Sequence, residues 1–160
     1  MQVYSLIMPA KSALKVAADP ADLLGCSCMW LRKAARRLSQ IYDQHLEPLG
    51  LTITQYGLLA RLSAADGIGV AAFAEQLVMD PTTLTRNLRP LERQRLLVLA
   101  PDPRDRRSRM LHLTAKGRER LAEARPVWAR AQRQIEDSVG RQDVAALHAS
   151  LGRLLERLAA

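Results

Sequence analysis

The chain has 160 residues, 48% hydrophobic and only 4% aromatic, and its 24 Lys and Arg against 16 Asp and Glu give a net charge of +8. That length suits one domain able to bury a real core, and a Leu- and Ala-rich, aromatic-poor composition points to a mainly helical protein. No apolar run reaches the length of a membrane span, and the start lacks a basic head followed by a long apolar stretch. Two cysteines make no disulfide scaffold, so neither a membrane partner nor secretion is expected and the compartment is read as the cytoplasm.

Residues 1–21 keep no hydrophobic period and contain Pro9 and Pro20, which reads as a partly disordered arm. A helix is predicted from about Pro20–Asp22 to Leu46. Its apolar stripe is Leu31, Ala34, Ala35, Leu38, Ile41 and Tyr42, with Lys33, Arg36, Arg37, Gln40 and Gln44 mostly off it. Pro48-Leu49-Gly50 ends it. A second helix is expected over Thr54–Ser63, capped by Thr52 or Thr54, with Tyr56, Leu58, Leu59 and Leu62 turned to a core. Residues 65–69 read as a turn. Val70–Met79 reads as a helix burying Phe73, Leu77 and Val78.

Asp80 can cap the following helix, and Pro81 suits its first position, where no amide hydrogen is needed. Leu84, Leu88 and Leu91 fall at i, i+4 and i+7 and form one apolar face. Thr82, Thr83, Thr85, Arg86, Asn87 and Arg89 make the polar remainder. Such side chains suit phosphate oxygens and base edges: Arg forks onto guanine, Asn onto adenine, and Thr touches phosphate or a thymine methyl. Pro90 removes one backbone hydrogen bond and is expected to kink or bend the helix.

Two short apolar runs follow, Leu96–Ala100 and Met110–Thr114. Between them lies a basic turn carrying Arg104, Asp105, Arg106, Arg107 and Arg109. This is the pattern of a hairpin. A tight turn, a polar-faced helix and a basic hairpin together have the layout of a winged helix-turn-helix: mainly α, with a two-stranded β wing. From Pro81 to Arg125 there are 12 Lys and Arg against 5 Asp and Glu, so this segment holds +7 of the chain's +8. A basic excess confined to one stretch marks a polyanion partner.

Beyond the hairpin, Ala115–Val139 reads as one long helix interrupted or bent at Pro126. Leu121, Ala124, Trp128, Ala131 and Ile135 lie on one side of it. Gly140 stops it. A last helix starts at Gln142-Asp143 with the stripe Val144, Leu147, Leu151, Leu154, Leu155 and Leu158. The terminal helices carry more apolar surface than a small winged-helix core needs, which points to self-association.

Leu77–Gly117 resembles the DNA-binding core of the MarR family of bacterial transcription regulators, through the helix PTTLTRNLRPLERQRLL, the motif Asp105-Arg106-Arg107 and the strand LHLTAKG. The resemblance extends over about Leu23–Leu158. It implies that Asp105 braces the wing and that Arg107, with Arg106, enters the minor groove. It implies a homodimer built from intertwined terminal helices. Its domains would be an arm over 1–21, a dimerisation region over 22–50 and 115–160, and a DNA-binding domain over 51–114. Two-fold symmetry implies a palindromic site with half-sites about one helical turn apart. The family also implies a small aromatic or phenolic effector in a cleft, for which Trp30, Tyr42, Tyr56 and Trp128 are the candidate lining; the same aromatics serve equally well as plain core.

Cys26-Ser27-Cys28 sits near the start of the first helix, where side chains at i, i+2 diverge and cannot bridge without unwinding. Cys28 has the helix N-terminus on one side and Arg32 one turn on, and both favour thiolate chemistry. Cys28 is similar in position to the peroxidatic cysteine of the family's organic-hydroperoxide sensors (the OhrR type), and Tyr42 to a tyrosine that supports it. Arg32 replaces the second such tyrosine, and no cysteine follows Cys28 to resolve the oxidised form. Redox sensing therefore stands beside a plain structural role for Cys26 and Cys28. His45, His112 and His148 are scattered, so no metal site or other cofactor is expected.

The function expected is a sequence-specific regulator, most simply a repressor released from its operator by an effector or by oxidation of Cys28. The alternatives are a non-specific architectural DNA-binding protein and a thiol peroxidase. No Gly-rich phosphate loop, H-E-x-x-H or G-x-S-x-G is present to support another enzyme.

Overall fold

The structure, a computed structural model, describes residues 25–65, 67–102 and 109–159. The arm over 1–21 and the proposed helix start at Pro20–Asp22 lie outside the described residues. The chain divides into two units, 1–36 and 37–160. Of the first, the described part is Gly25–Arg36. There the carbonyl of Cys26 accepts from the amides of Met29 and Trp30 at 3.1 and 3.2 Å and opens the helix α1 (Ser27–Leu46). Cys26 therefore lies just ahead of the helix rather than within it, and Cys28 falls in its first turn.

In the second unit α1 ends at a single 3-10 turn, Glu47–Leu49, with Gly50 at φ +66. The helix α2 (Ile53–Ala64) follows. Thr52 caps it in a reciprocal box: its hydroxyl accepts from the Gln55 amide at 3.3 Å, and its own amide donates to the Gln55 side chain at 2.9 Å. Of the two caps considered, the choice falls on Thr52 because Gln55 stands at N3. Tyr56, Leu58, Leu59 and Leu62 are all buried, as the spacing requires.

Residues Ile68–Gly69, read as turn from the sequence, form a short strand β1. After the helices α3 (Val70–Gln76) and α4 (Pro81–Arg93) come β2 (Leu97–Pro101) and β3 (Arg109–Leu113). β3 lies in the centre, antiparallel to both neighbours: Leu97 faces Leu113, Leu99 faces Leu111, and Ile68 also faces Leu111. The wing is thus part of a three-stranded sheet, not an isolated pair. The third strand spares its central hairpin one unpaired edge. Leu111 and Leu113 point to the core while Met110 and His112 alternate outward.

The helix α5 (Ala115–Val139) runs unbroken through Pro126, and α6 (Arg141–Ala159) follows Gly140. Neither Pro126 nor Pro90 ends its helix; each removes one amide from the ladder, at the carbonyls of Ala122 and Arg86. The core joins Leu46, Leu59 and Leu62 to Phe73, to Leu84, Leu88 and Leu91, and to Leu96, Leu111 and Leu121. Leu121, Ala124, Ala131 and Ile135 of α5 are buried as their spacing predicts, with Trp128 packed at the margin. Tyr42 donates to the Gln132 carbonyl oxygen, and the Gln132 amide donates to Glu136 at 2.9 Å, tying α1 to α5. Burial, and then the Glu136 charge, hold the Tyr42 hydroxyl above its ordinary pKa.

The start of α5 is clamped to the end of α4. Thr114 caps α5 by accepting from the Gly117 amide at 2.9 Å, and its hydroxyl lies 2.8 Å from the Arg95 carbonyl, to which it donates. Its amide donates to the Leu96 carbonyl at 3.1 Å. Lys116 reaches back to the Gln94 carbonyl at 3.0 Å. Gly117 permits this contact, because a Cβ there would stand 1.9 Å from the Leu96 carbonyl oxygen. In an open helix Gly→Ala stabilises by about 1 kcal/mol. Here the sign reverses: Gly117→Ala is expected to cost about 1–3 kcal/mol through overpacking against backbone that cannot yield. Denaturant unfolding reads this directly, and a stability equal to or above the parent would contradict the close approach.

Candidate nucleic-acid interface

The turn between α3 and α4 aims the interface. α3 ends three residues earlier than its sequence period implied. The Met79 amide returns to the Ala74 carbonyl at 2.9 Å and the Val78 amide to Glu75 at 3.0 Å, a Schellman stop with Val78 at φ +52. Val78, expected in the core, is 84% exposed. It lies past the helix end, where the left-handed turn carries its side chain outward. Arg95 does the same after α4 at φ +60, with Leu96 returning to Leu91 at 2.9 Å.

Asp80 starts α4 by accepting from the Thr83 amide at 2.8 Å. The Thr83 side chain, and then its amide, hold the Asp80 carboxyl below the usual carboxylate range. The anion-seeking helix N-terminus is thereby occupied by the chain's own carboxylate, which leaves phosphate binding to the arginines. Leu84, Leu88 and Leu91 are buried. Thr82, Thr85, Arg86, Arg89, Glu92 and Arg93 are exposed, and Thr83 and Asn87 are half-buried. The Thr85 hydroxyl donates to the Pro81 carbonyl at 2.8 Å, so toward a ligand it offers lone pairs only. Arg86, Arg89 and Arg93 follow i, i+3, i+7 spacing, and together they line a shallow cleft with Pro90 and Glu92. Arg93 extends the basic stripe beyond the residues nominated from sequence, although its spacing was legible there.

Arg109 opens β3, is exposed, and faces Pro101 across the ladder. With Arg89 and Glu92 it lines a cleft between α4 and the hairpin. Arg104, Asp105, Arg106 and Arg107 lie outside the described residues.

The Tyr56 and Trp128 rings stack at 5.8 Å and 14°, while Tyr42 is engaged with Gln132. In the first unit, Lys33 stands 5.5 Å over the Trp30 ring. A separate cleft of about 570 Å³ is lined by Gln40, Asp43, Gln44, Glu47, Thr52 and Gln55, none of them an aromatic candidate. Cys28 is exposed and Cys26 half-buried. The Arg32 Nε donates to the Cys28 Sγ at 3.4 Å. Among the described residues no three His, Cys, Asp or Glu side chains are placed to hold a metal ion, and no helix is long and apolar enough to cross a membrane.

The MarR family model matches residues 49–108. The transcriptional regulator HosA of Escherichia coli O111:H- is 34% identical over 100 residues, which are 59% of this chain and 74% of that protein. The organic hydroperoxide resistance transcriptional regulator of Bacillus subtilis strain 168 is 32% identical over 90 residues, 56% of this chain and 61% of its own. Among solved structures, the M. tuberculosis transcriptional regulator MosR in complex with DNA is 37% identical, with 81% of this chain and 98% of that one covered at a TM-score of 0.66. The transcriptional repressor CouR bound to a 23-mer DNA duplex is 29% identical, with 86% and 98% covered at a TM-score of 0.75.

Val78 supplies a test of the turn. A β-branched residue in the left-handed region costs about 1–2 kcal/mol, part of which glycine returns as lost chain entropy. Val78→Gly is therefore expected to stabilise the protein by roughly 0.5–1 kcal/mol and raise Tm by a few degrees. A lower Tm in a thermal melt would mean the turn is not left-handed at this position.

Proposed function

We propose that this chain, which belongs to the MarR family, works as a homodimeric repressor that leaves its operator when an effector or an oxidant acts on it. It is a sequence-specific DNA-binding transcriptional regulator, not an enzyme. The observation that carries this is the division of α4. Three leucines are buried on one side while Thr82, Arg86 and Arg89 stand free on the other, capped and aimed by the turn before them. The helix reads base edges in the major groove through Arg86, Asn87 and the threonines, and the family resemblance gives Arg107, with Arg106, to the neighbouring minor groove and Asp105 to bracing the wing.

Dimerisation through residues 22–50 and 115–160 is supported by the apolar stripe of α6. Leu147, Leu155 and Leu158 are 43%, 58% and 76% exposed in the single chain, more apolar surface than a monomer keeps in water. Residues 51–114 form the DNA-binding domain in this reading. A two-fold dimer asks for a palindromic site. The cytoplasm is the compartment in which such a regulator meets its DNA.

For release, two routes remain in view. A small aromatic or phenolic effector would bind near the Tyr56–Trp128 stack and shift the population toward a conformation with misplaced recognition helices. Oxidation at Cys28 is supported by its exposure, by the Arg32 contact and by a relative named for organic hydroperoxide resistance. In that step the Cys28 sulfur attacks the distal oxygen of a hydroperoxide. The O–O bond breaks, the alcohol leaves, and a sulfenic acid remains.

The test is binding of the reduced chain to the duplex flanking its own gene and to random duplex, with and without an organic hydroperoxide. A preference of about 10³-fold or more is expected for the specific duplex, with Arg86→Ala relaxing discrimination at particular base pairs by roughly 1–3 kcal/mol. Hydroperoxide should lower affinity in the parent and not in Cys28→Ser. A preference near one would return the chain to the architectural class. Unchanged affinity after stoichiometric oxidation of Cys28 would remove the redox route and leave the effector.

A further inference from the structure

In a winged helix-turn-helix complex the helix lies in a major groove and the hairpin in the adjacent minor groove. The sugar-phosphate strand that separates those grooves must therefore cross the junction between helix and hairpin. In this chain the junction is a cleft of about 250 Å³ between α4 and the β2–β3 hairpin. Leu88 and Leu99 line it with apolar surface, and Thr85, Arg89, Glu92 and Arg109 complete it. Arg89 comes from the helix and Arg109 from the first residue of β3, so two elements with separate roles deliver a guanidinium to one place. The ion pairs among the described residues are Arg120–Glu123 and Arg141–Glu136. Glu92 lines the cleft with Arg89 and Arg109 but forms an ion pair with neither.

We propose that this cleft is a single-phosphate clamp: Arg89 and Arg109 together hold the one phosphodiester that passes between the two grooves. The inference rests on the DNA-binding reading and deepens it. It gives Arg89, suited to phosphate or base edge alike, to backbone positioning, and it gives the root of the hairpin a role distinct from that of its tip. Two guanidinium forks on one phosphate match the fixed donor geometry of arginine, and each fork bonds non-bridging oxygens bidentately. The partially apolar floor lowers the local dielectric and strengthens the contact.

Glu92 decides where in the cleft the anion rests. Thr85 and Glu92 are seven residues apart on α4, about 10 Å along its axis, with Arg89 between them. A carboxylate at the Glu92 end repels a phosphate there, so the phosphate sits away from Glu92 and is held by the arginines alone, the Thr85 proton being already given to the Pro81 carbonyl. The clamp then fixes the register of α4 along the groove without reading any base, and Arg86 and Asn87 read sequence from a set position.

The experiment uses the full-length chain and the tightest duplex recovered from a random-sequence library. Each phosphate of that duplex is replaced in turn by a neutral methylphosphonate. One position per half-site is expected at which neutralisation lowers parent affinity about tenfold, lowers that of Arg89→Ala and of Arg109→Ala less, and leaves that of the double variant nearly unchanged. Each single variant should leave the slope of log affinity against log salt nearly unchanged, because the other arginine still neutralises the phosphate, and the double variant should lower it by about 0.9 per half-site. Neither variant should change base preference, and Glu92→Gln should tighten binding two- to threefold at low salt. A slope loss of about 0.9 per half-site in each single variant that doubles in the double variant places the arginines on different phosphates and overturns the clamp. So does a relaxed base preference in Arg89→Ala, no position meeting the methylphosphonate criterion, or weaker binding by Glu92→Gln. If Arg86→Ala also fails to relax preference, or the library yields no preferred duplex, it is the specific-binding reading that has failed instead.

Discussion

Everything the interface does depends on how α4 is anchored. Leu84, Leu88 and Leu91 bury one side of it completely, each contributing about 1.5–3 kcal/mol by removal from water. That burial fixes the rotation of the helix about its own axis, and rotation decides which side chains face outward. Arg86, Arg89 and Arg93 are presented because the leucines are not available to solvent. The two ends are held as firmly. Asp80 closes the N-terminus on the Thr83 amide, and the C-terminus is closed by Leu96 returning to Leu91 and by Lys116 bonding the Gln94 carbonyl.

The second anchor joins three parts of the molecule at one backbone position. The Leu96 carbonyl, at the root of the hairpin, receives the Thr114 amide and lies against Gly117 of α5. The end of α4, the hairpin and the long helix therefore meet at a backbone contact, to which the Thr114 hydroxyl adds a bond to the same carbonyl at 3.1 Å. Backbone-to-backbone contact of this kind is stiff, since interiors are close-packed and neither partner has a rotamer to change. A displacement of α5 is carried to the end of α4 and the hairpin root together.

Much of this was legible in the order of residues. The leucine spacing of α4, the Asp80 cap, a threonine cap for α2 at Thr52 or Thr54, the inward faces of α2 and α5 and the basic hairpin are local patterns, and the buried faces among them are set by periodicities of 3.6 and 2 residues. The third strand was not legible. Ile68-Gly69 is too short to show a period and becomes a strand only because Leu111 is opposite it. Val78 was misread for a related reason. Its apolar character continued the stripe of α3, but the amides of Val78 and Met79 close the helix before it and turn it outward.

Sequence by itself determined the helices, their buried faces, the basic character of one segment and the family resemblance, because each follows from residues close together along the chain. Tertiary structure alone decided that the hairpin has a third strand, that Gly117 must lack a side chain, and that Arg89 and Arg109, twenty residues apart, line one cleft. Those are long-range contacts. They depend on which carbonyl, strand edge or helix end arrives opposite a given residue, and no local period encodes that arrival.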